Sequence, residues 1–391
     1  MYIPQIGNGV VENGIEGTCD VLVVEGEDKT LTSTTFIVKF NRSILRERGV
    51  RILVNNKLTD VRMQVNSAYE GYFESFAANA PADAKRLKIE TSRCASMWQE
   101  VGEGDRAAVF DAHRVEQSDA SDVNKNVLMY RIGEEYFKEE EVLKKIVQQQ
   151  QQRSVKREEE EKKMIITRRG EDEMLKMLML RDGENKLEFE YEVGGGVQER
   201  MEMRVYKYKQ HDMLIVSDID GTITKSDVLG YVLPYVGMNW HHKDLVQIYN
   251  VLVQRGYRMV YLTARSFTEY KTTRRYLDDV MSGEHKLPRG PVLLYPSTFM
   301  GGLRQELVKK TQHVYKSNML RDVQRAFAST SCIAAGFGNQ QSDAVAYRQV
   351  GVHDNFNFVI KDSIIHMLSG LYKFTLESFY ANLNMLFPSL K

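Results

Sequence analysis

The spacing of apolar positions changes character along this chain. Between residues 19 and 73 they alternate with polar ones in short bursts: Val21 and Val23, then Phe36, Val38 and Phe40, then Ile52 and Val54, then Val61, Met63 and Val65. A period of two is that of a strand with one covered face. The turn-prone Glu25-Gly26-Glu27-Asp28 and Asn55-Asn56 fall between the bursts. Strict alternation returns at 187–192 and 201–206, on either side of Gly194-Gly195-Gly196. The few amino-terminal strands would be marginal alone. The expectation is one immunoglobulin-like β-sandwich, built partly from the amino terminus and partly from residues 185–209.

From residue 212 the pattern becomes short unbroken apolar runs, at 213–217, 258–262, 291–295, 332–335 and 356–360. Such runs are strands buried on both faces. Helical periodicity lies between most of them. Residues 244–255, for example, carry Leu245, Ile248, Val251 and Leu252 at the spacing of an amphipathic crossover helix. This alternation predicts a doubly wound parallel α/β sheet. Residues 76–165 read differently. A glutamine tract at 148–152 precedes Glu158–Glu161 and Lys162-Lys163, with few apolar anchors. That composition predicts a solvated helix or a disordered linker.

Composition changes this picture little. The 391 residues hold 53 basic and 53 acidic side chains, so net charge gives no bulk attraction for nucleic acid, and no nucleic-acid partner is expected. The cysteines Cys19, Cys94 and Cys332 lack metal or redox spacing, and two lie in strand-like runs. Buried free thiols in a reducing compartment follow. A signal peptide is not expected, and no apolar run is long enough to cross a bilayer.

The candidate chemistry begins at Asp218-Ile219-Asp220-Gly221-Thr222, directly after the apolar run at 213–217. A buried parallel strand ending in two carboxylates presents both at the ligand-binding edge of the sheet. The first can attack phosphorus and hold a metal; the second can shuttle a proton to the leaving oxygen. The string resembles motif I of the haloacid dehalogenase (HAD) phosphatases. In their order, the resemblance implies a phosphoryl-binding hydroxyl at Thr263, ending the strand 258–262. It implies a neutralising lysine among Lys309, Lys310 and Lys316. Lys316 is favoured, because 315–322 reads as the opening of a helix whose amino end would favour an anion. The metal ligands are expected in the loop at 336–343, through Asn339 and Asp343, with the glycines allowing a tight turn. Which of the two touches the ion directly stays open.

The resemblance then narrows. The stretch 218–229, the stretch 240–265, Gly290-Pro291-Val292-Leu293-Leu294, and Gly336-Phe337-Gly338-Asn339 through Val350-Gly351-Val352 are similar to the lipin family of phosphatidate phosphatases. So, at the amino end, are 19–25, 36–40 and 52–73. The resemblance implies Mg²⁺-dependent hydrolysis of phosphatidate to diacylglycerol and phosphate. It implies an aspartyl-phosphate on Asp218, with Asp220 as acid and base. The metal would be held by Asp218, the Asp220 carbonyl and the Asn339/Asp343 loop. Thr222 is expected to order the motif I loop, and Asp227 to support it or to cap the next helix. The expected layout is an amino-terminal lipin region to residue 75, a linker over 76–165, the rest of the sandwich over 166–210, a HAD-like domain over 211–361 and a helical tail over 362–391. A lipid substrate implies peripheral contact with a membrane surface, at the endoplasmic reticulum or nuclear membrane. Tyr2, Ile3 and Ile6, with Val10 and Val11, are spaced for a short amphipathic helix.

Overall fold

The computed structural model of the chain describes residues 16–75, 171–224, 243–295 and 302–390, together with the short strands Leu87–Lys88, His113–Val115, Met129–Ile132 and Glu135–Lys138. The alternating stretches become Val21–Glu25 (β1), Leu31–Ser33 (β2), Val50–Val54 (β3), Lys57–Val65 (β4), Gly71–Tyr72 (β5), Gly183–Val193 (β6) and Val197–Lys209 (β7). They form one mixed sheet in the order β2-β1-β7-β6-β3-β4-β5. The two distant sequence blocks therefore meet, as their alternation implied. β7 runs parallel to β1 with Val205 beside Val21, and β6 pairs antiparallel with β3, Leu187 opposite Val54. The β6–β7 turn uses Gly195 and Gly196 at φ 84° and 78°, a region costly for any residue with a Cβ. Leu187, Phe189, Tyr191 and Val193 point into the core. Of the expected 36–40 strand only Val38–Lys39 is extended, paired with Gly17–Thr18.

The second half is an α/β unit. Its strands are Leu214–Asp218 (β8), Arg258–Ser266 (β9), Val292–Tyr295 (β10), Ile333–Gly338 (β11), Asn357–Lys361 (β12), Ile364–Met367 (β13) and Lys373–Thr375 (β14). Helices Lys243–Gln254 (α1), Tyr270–Asp279 (α2), Gly302–Phe327 (α3), Gln341–Gln349 (α4), Leu376–Ala381 (α5) and Leu383–Leu386 (α6) accompany them. The sheet order is β10-β9-β8-β11-β12-β13-β14, and the first five strands are parallel. All five expected strands are present, and β8 lies between β9 and β11. That puts Asp218 at the carboxyl edge of the sheet, where loops from three strands converge.

Two expectations need correction. The tail over 362–391 is helical only from Leu376. The chain first reverses at Asp362 and Ser363, both with positive φ, and adds β13 and β14 antiparallel to β12. Ile365 and Met367 are buried at period two along β13, and Phe374 is buried between exposed neighbours on β14, so extended chain buries them where a helix would not. Residues 315–322 do not open a helix. They lie inside α3, which starts thirteen residues earlier at Gly302 and continues without a breaker to Phe327.

The amino-terminal segment packs directly on the α/β unit. Asp20 N–H donates to the Val292 carbonyl at 3.2 Å. The Asp20 carboxylate, wholly buried, accepts from Val292 N–H (2.9 Å), Arg204 N–H (3.0 Å), the Tyr270 hydroxyl (2.5 Å) and the Arg274 guanidinium. Lower down, Thr35 N–H donates to Asp322 of α3 at 2.7 Å. The outer edge of β10 is thus capped at Val292 by the amino-terminal segment.

Candidate active site

Motif I folds as a strand that stops abruptly. Asp218 is the last residue of β8, and Gly221 takes φ 77°. The turn lets Thr222 and Ile223 donate back to the Ile219 carbonyl at 3.3 and 2.9 Å. Thr222 also reaches Asp218 Oδ2 at 3.4 Å. The backbone of Asp218 is held from below: Tyr249 of α1 donates to Ser217 Oγ at 2.8 Å, and Ser217 donates to the Asp218 carbonyl at 2.8 Å.

Among the described side chains, Lys316 is a lysine that reaches the site. Its Nζ lies 2.6 Å from Asp218 Oδ1 and 2.5 Å from Asp343 Oδ1, with all three side chains at most 5% exposed. It comes from the middle of α3, so the helix amino end plays no part; the ammonium itself supplies the charge. Of the alternatives, the side chains of Lys309 and Lys310 lie outside the described residues. Burial works against the ammonium, but Asp218 and Asp343 outweigh it and push its pKa up. Burial and the Asp343 carboxylate also raise the Asp218 pKa above that of an ordinary carboxylate while Lys316 opposes them, so a cation at the site would favour the ionised form.

Asp343 turns out to be tied on all sides. Its Oδ2 accepts the N–H of Asn339 (3.1 Å) and of Gln340 (3.0 Å), and Oδ1 meets Lys316. The carboxylate therefore caps α4 and holds the loop carrying Asn339. Gly336 and Gly338 have a different use from the expected tight turn. They belong to β11, and a Cβ on them would lie 2.4 Å from the Tyr347 ring and 2.4 Å from Asp343 Cβ. Glycine here lets α4 lie directly against the strand.

Asp220 sits beside this group with different partners. The Arg265 guanidinium donates through Nε to both carboxylate oxygens at 3.1 Å and through Nη2 to Oδ1 at 2.6 Å. Thr263, the expected phosphoryl-binding hydroxyl, donates to Asp220 Oδ2 at 3.0 Å. The Thr263 carbonyl accepts from Tyr315 of α3 at 2.8 Å, which fixes the strand end. Arg265 had no role in the sequence reading, although a cation two residues past the motif II hydroxyl is the signal that could have marked it. Asp227, Tyr2, Ile3 and Ile6 lie outside the described residues, as does Cys94; Cys19 and Cys332 are buried free thiols.

The donor set fits a divalent cation. Among the described residues the pocket holds three carboxylates, Asp218, Asp220 and Asp343, against two cations, Lys316 and Arg265. The uncompensated negative charge is buried, and the remaining donors are hard oxygens. Among the described residues no group of three His, Cys, Asp or Glu side chains is placed to hold a metal ion by itself, so a cation here would also draw on backbone, amide or substrate oxygens. An open set of one or two carboxylates suits a divalent cation that keeps waters and shares substrate oxygens.

A family model described as LNS2 (Lipin/Ned1/Smp2) matches residues 166–388, and one described as lipin, N-terminal conserved region, matches residues 3–92. The chain belongs to the lipin family. Its α/β unit lies within the residues that the LNS2 model matches. Human phosphatidate phosphatase LPIN3 is 34% identical over 223 residues, covering 56% of this chain and 26% of that protein. Phosphatidic acid phosphohydrolase 1 of Saccharomyces cerevisiae is 36% identical over 215 residues, covering 52% of this chain and 25% of that protein. The match thus spans about a quarter of the length of each of these curated relatives.

Proposed function

We propose that this lipin-family chain hydrolyses phosphatidate to diacylglycerol and phosphate, with Mg²⁺ as the bound ion. The observation that carries the reading is the buried Asp218–Lys316–Asp343 group at the carboxyl end of β8, with Asp220 two residues on. An Asp218 carboxylate oxygen attacks phosphorus in line, and the bond from phosphorus to the diacylglycerol oxygen breaks. Asp220 delivers a proton to that oxygen. It then takes one from the water that attacks phosphorus, and the aspartyl–phosphorus bond breaks to release phosphate. Lys316 stands beside Asp218 to meet the equatorial oxygens, and Thr263 beside Asp220. The ion would be held by the Asp218 carboxylate, the Asp220 carbonyl and the Asn339 amide oxygen, with Asp343 fixing the loop. When bound, it offsets the repulsion between phosphate and carboxylate.

We take the seven-stranded mixed sheet and the short sheet Gly17–Thr18/Val38–Lys39 together as the immunoglobulin-like sandwich; strands from both sequence blocks and the burial of every residue of β1 support this. No helix among the described residues is long and apolar enough to cross a membrane. A membrane substrate then requires contact at the surface, which we assign to Tyr2, Ile3 and Ile6. The test of function is phosphate release from phosphatidate in mixed micelles, with and without Mg²⁺. Release from phosphopeptides or soluble phosphoesters alone would replace the lipid substrate, and no release from any would leave a non-enzymatic role.

A further inference from the structure

The hydroxyl of Tyr276 is shut off from solvent and makes no hydrogen bond among the described residues. Leaving a buried hydroxyl unpaired costs about 1–3 kcal/mol, and phenylalanine would avoid the cost with the same ring. The position is what matters. Tyr276 lies on α2 three residues after Thr273, hence on the same helix face. Thr273 Oγ1 is 3.5 Å from Arg265 Nη1. The charges of Arg265 and Asp220 both act on the phenol, which burial pushes up to about 12, with Arg265 opposing and Asp220 adding. The unpaired hydroxyl therefore belongs to the face of α2 that meets, through Thr273, the ion pair holding the acid.

That ion pair poses a mechanical problem for the reaction proposed above, on which this inference rests. Arg265 and Thr263 together occupy both Asp220 oxygens. To protonate a departing alkoxide, Asp220 must turn away from Arg265. The guanidinium, only 15% exposed, would then have buried N–H groups with no acceptor, a costly state for a charge. Arginine has donors only, so what it needs is an oxygen lone pair. We infer that Tyr276 is a positioning residue for the general acid, its hydroxyl accepting from Arg265 when Asp220 disengages to protonate the leaving oxygen. The hydroxyl is unpaired with the pair closed because its partner is released only when the pair opens.

Tyr276→Phe tests this. An alkoxide leaving group needs the proton, whereas an aryl phosphate expels a stable phenolate. The quantity to compare is kcat/KM, which reports the first transfer. On short-chain phosphatidate the variant should lose about tenfold in kcat/KM, a fraction of what a lost acid costs. On p-nitrophenyl phosphate the change should stay under about twofold. The melting temperature should be unchanged or raised, since an unpaired polar group has been removed. In an Arg265→Lys background the second substitution should add almost nothing. Unchanged kcat/KM on phosphatidate would overturn the inference. So would equal losses on both substrates with a lowered melting temperature, which would mark a packing role. If the wild-type chain hydrolyses only soluble phosphomonoesters, the lipid reading falls, while glycerol phosphate against p-nitrophenyl phosphate still decides the role of Tyr276.

Discussion

Asp20 and Asp218 are both buried carboxylates facing a cation, yet they are built to opposite ends. Asp20 receives four donors, two backbone N–H groups, a phenol and a guanidinium, from β7, β10 and α2. Every lone-pair direction is used, and the result is a joint between the amino-terminal segment and the α/β unit. Asp218 receives a lysine it must share with Asp343 and one long contact from Thr222 at 3.4 Å. Saturation makes a carboxylate structural, because any change leaves partners unpaired. Under-compensation leaves it ready to meet a cation and a phosphoryl group.

The sharpest way to break this contrast is to exchange the outcomes. Asp218→Asn should abolish phosphate release, beyond the roughly 10²–10⁴-fold loss typical of a missing acid or base, with melting temperature unchanged or raised. Asp20→Ala should do the reverse, costing about 3–5 kcal/mol of stability by stranding Arg274. Denaturant titration and turnover measured on both variants decide it; an unstable Asp218→Asn or a fully stable Asp20→Ala would dissolve the distinction.

Asp343 combines both characters, with its three donors and its place beside the nucleophile. Asp343→Ala should raise the Mg²⁺ needed for half-maximal rate by about tenfold or more, and an unchanged Mg²⁺ titration would remove it from the metal's surroundings. Deleting residues 1–11 tests the membrane contact and should have a smaller effect still. Activity on bilayer phosphatidate and liposome binding should fall several-fold while a soluble phosphoester is hydrolysed as before. Equal losses on both substrates would make the segment structural.

Glu171 gives the smallest expected effect and a third kind of carboxylate. Its Oε1 accepts only from Ser33, through N–H at 2.8 Å and Oγ at 3.2 Å. Burial raises its pKa from 4.5 to about 7, with Arg325 opposing. A raised folded-state pKa means the stabilising contribution is present below about pH 4.5 and lost as pH rises through about 7. Glu171→Gln keeps the acceptor and removes the titration. Its melting temperature relative to wild type should be higher at pH 8 than at pH 5, by the equivalent of about 1–3 kcal/mol. Parallel pH profiles would mean the carboxyl ionises freely.

Much of this molecule could be read along the chain. The five parallel strands appeared as apolar runs, and the hairpin around Gly194–Gly196 as strict alternation. Asp218 and Asp220 were marked by their place after such a run. What misled the reading was local inference about non-local arrangements. Residues 315–322 looked like a helix start, yet they continue α3. Gly336 and Gly338 looked like a turn, but they serve contact with α4. Arg265 lay in plain view within Thr263-Ala264-Arg265 without a visible task, because its partner, Asp220, arrives from another strand.

The sequence by itself determined the order of elements and the two carboxylates at the end of β8, since periodicity and a strand–turn motif depend only on covalent geometry within a few residues. Only the tertiary structure decided that Lys316, 98 residues from Asp218, lies between two carboxylates, that Asp20 is saturated, and that the Tyr276 hydroxyl is buried without a partner among the described residues, on the helix face that meets Arg265. Charge compensation in a site closed to water is a sum over groups brought from distant segments. Its strength depends on how completely solvent is excluded, and the chain acquires that property only when it is folded.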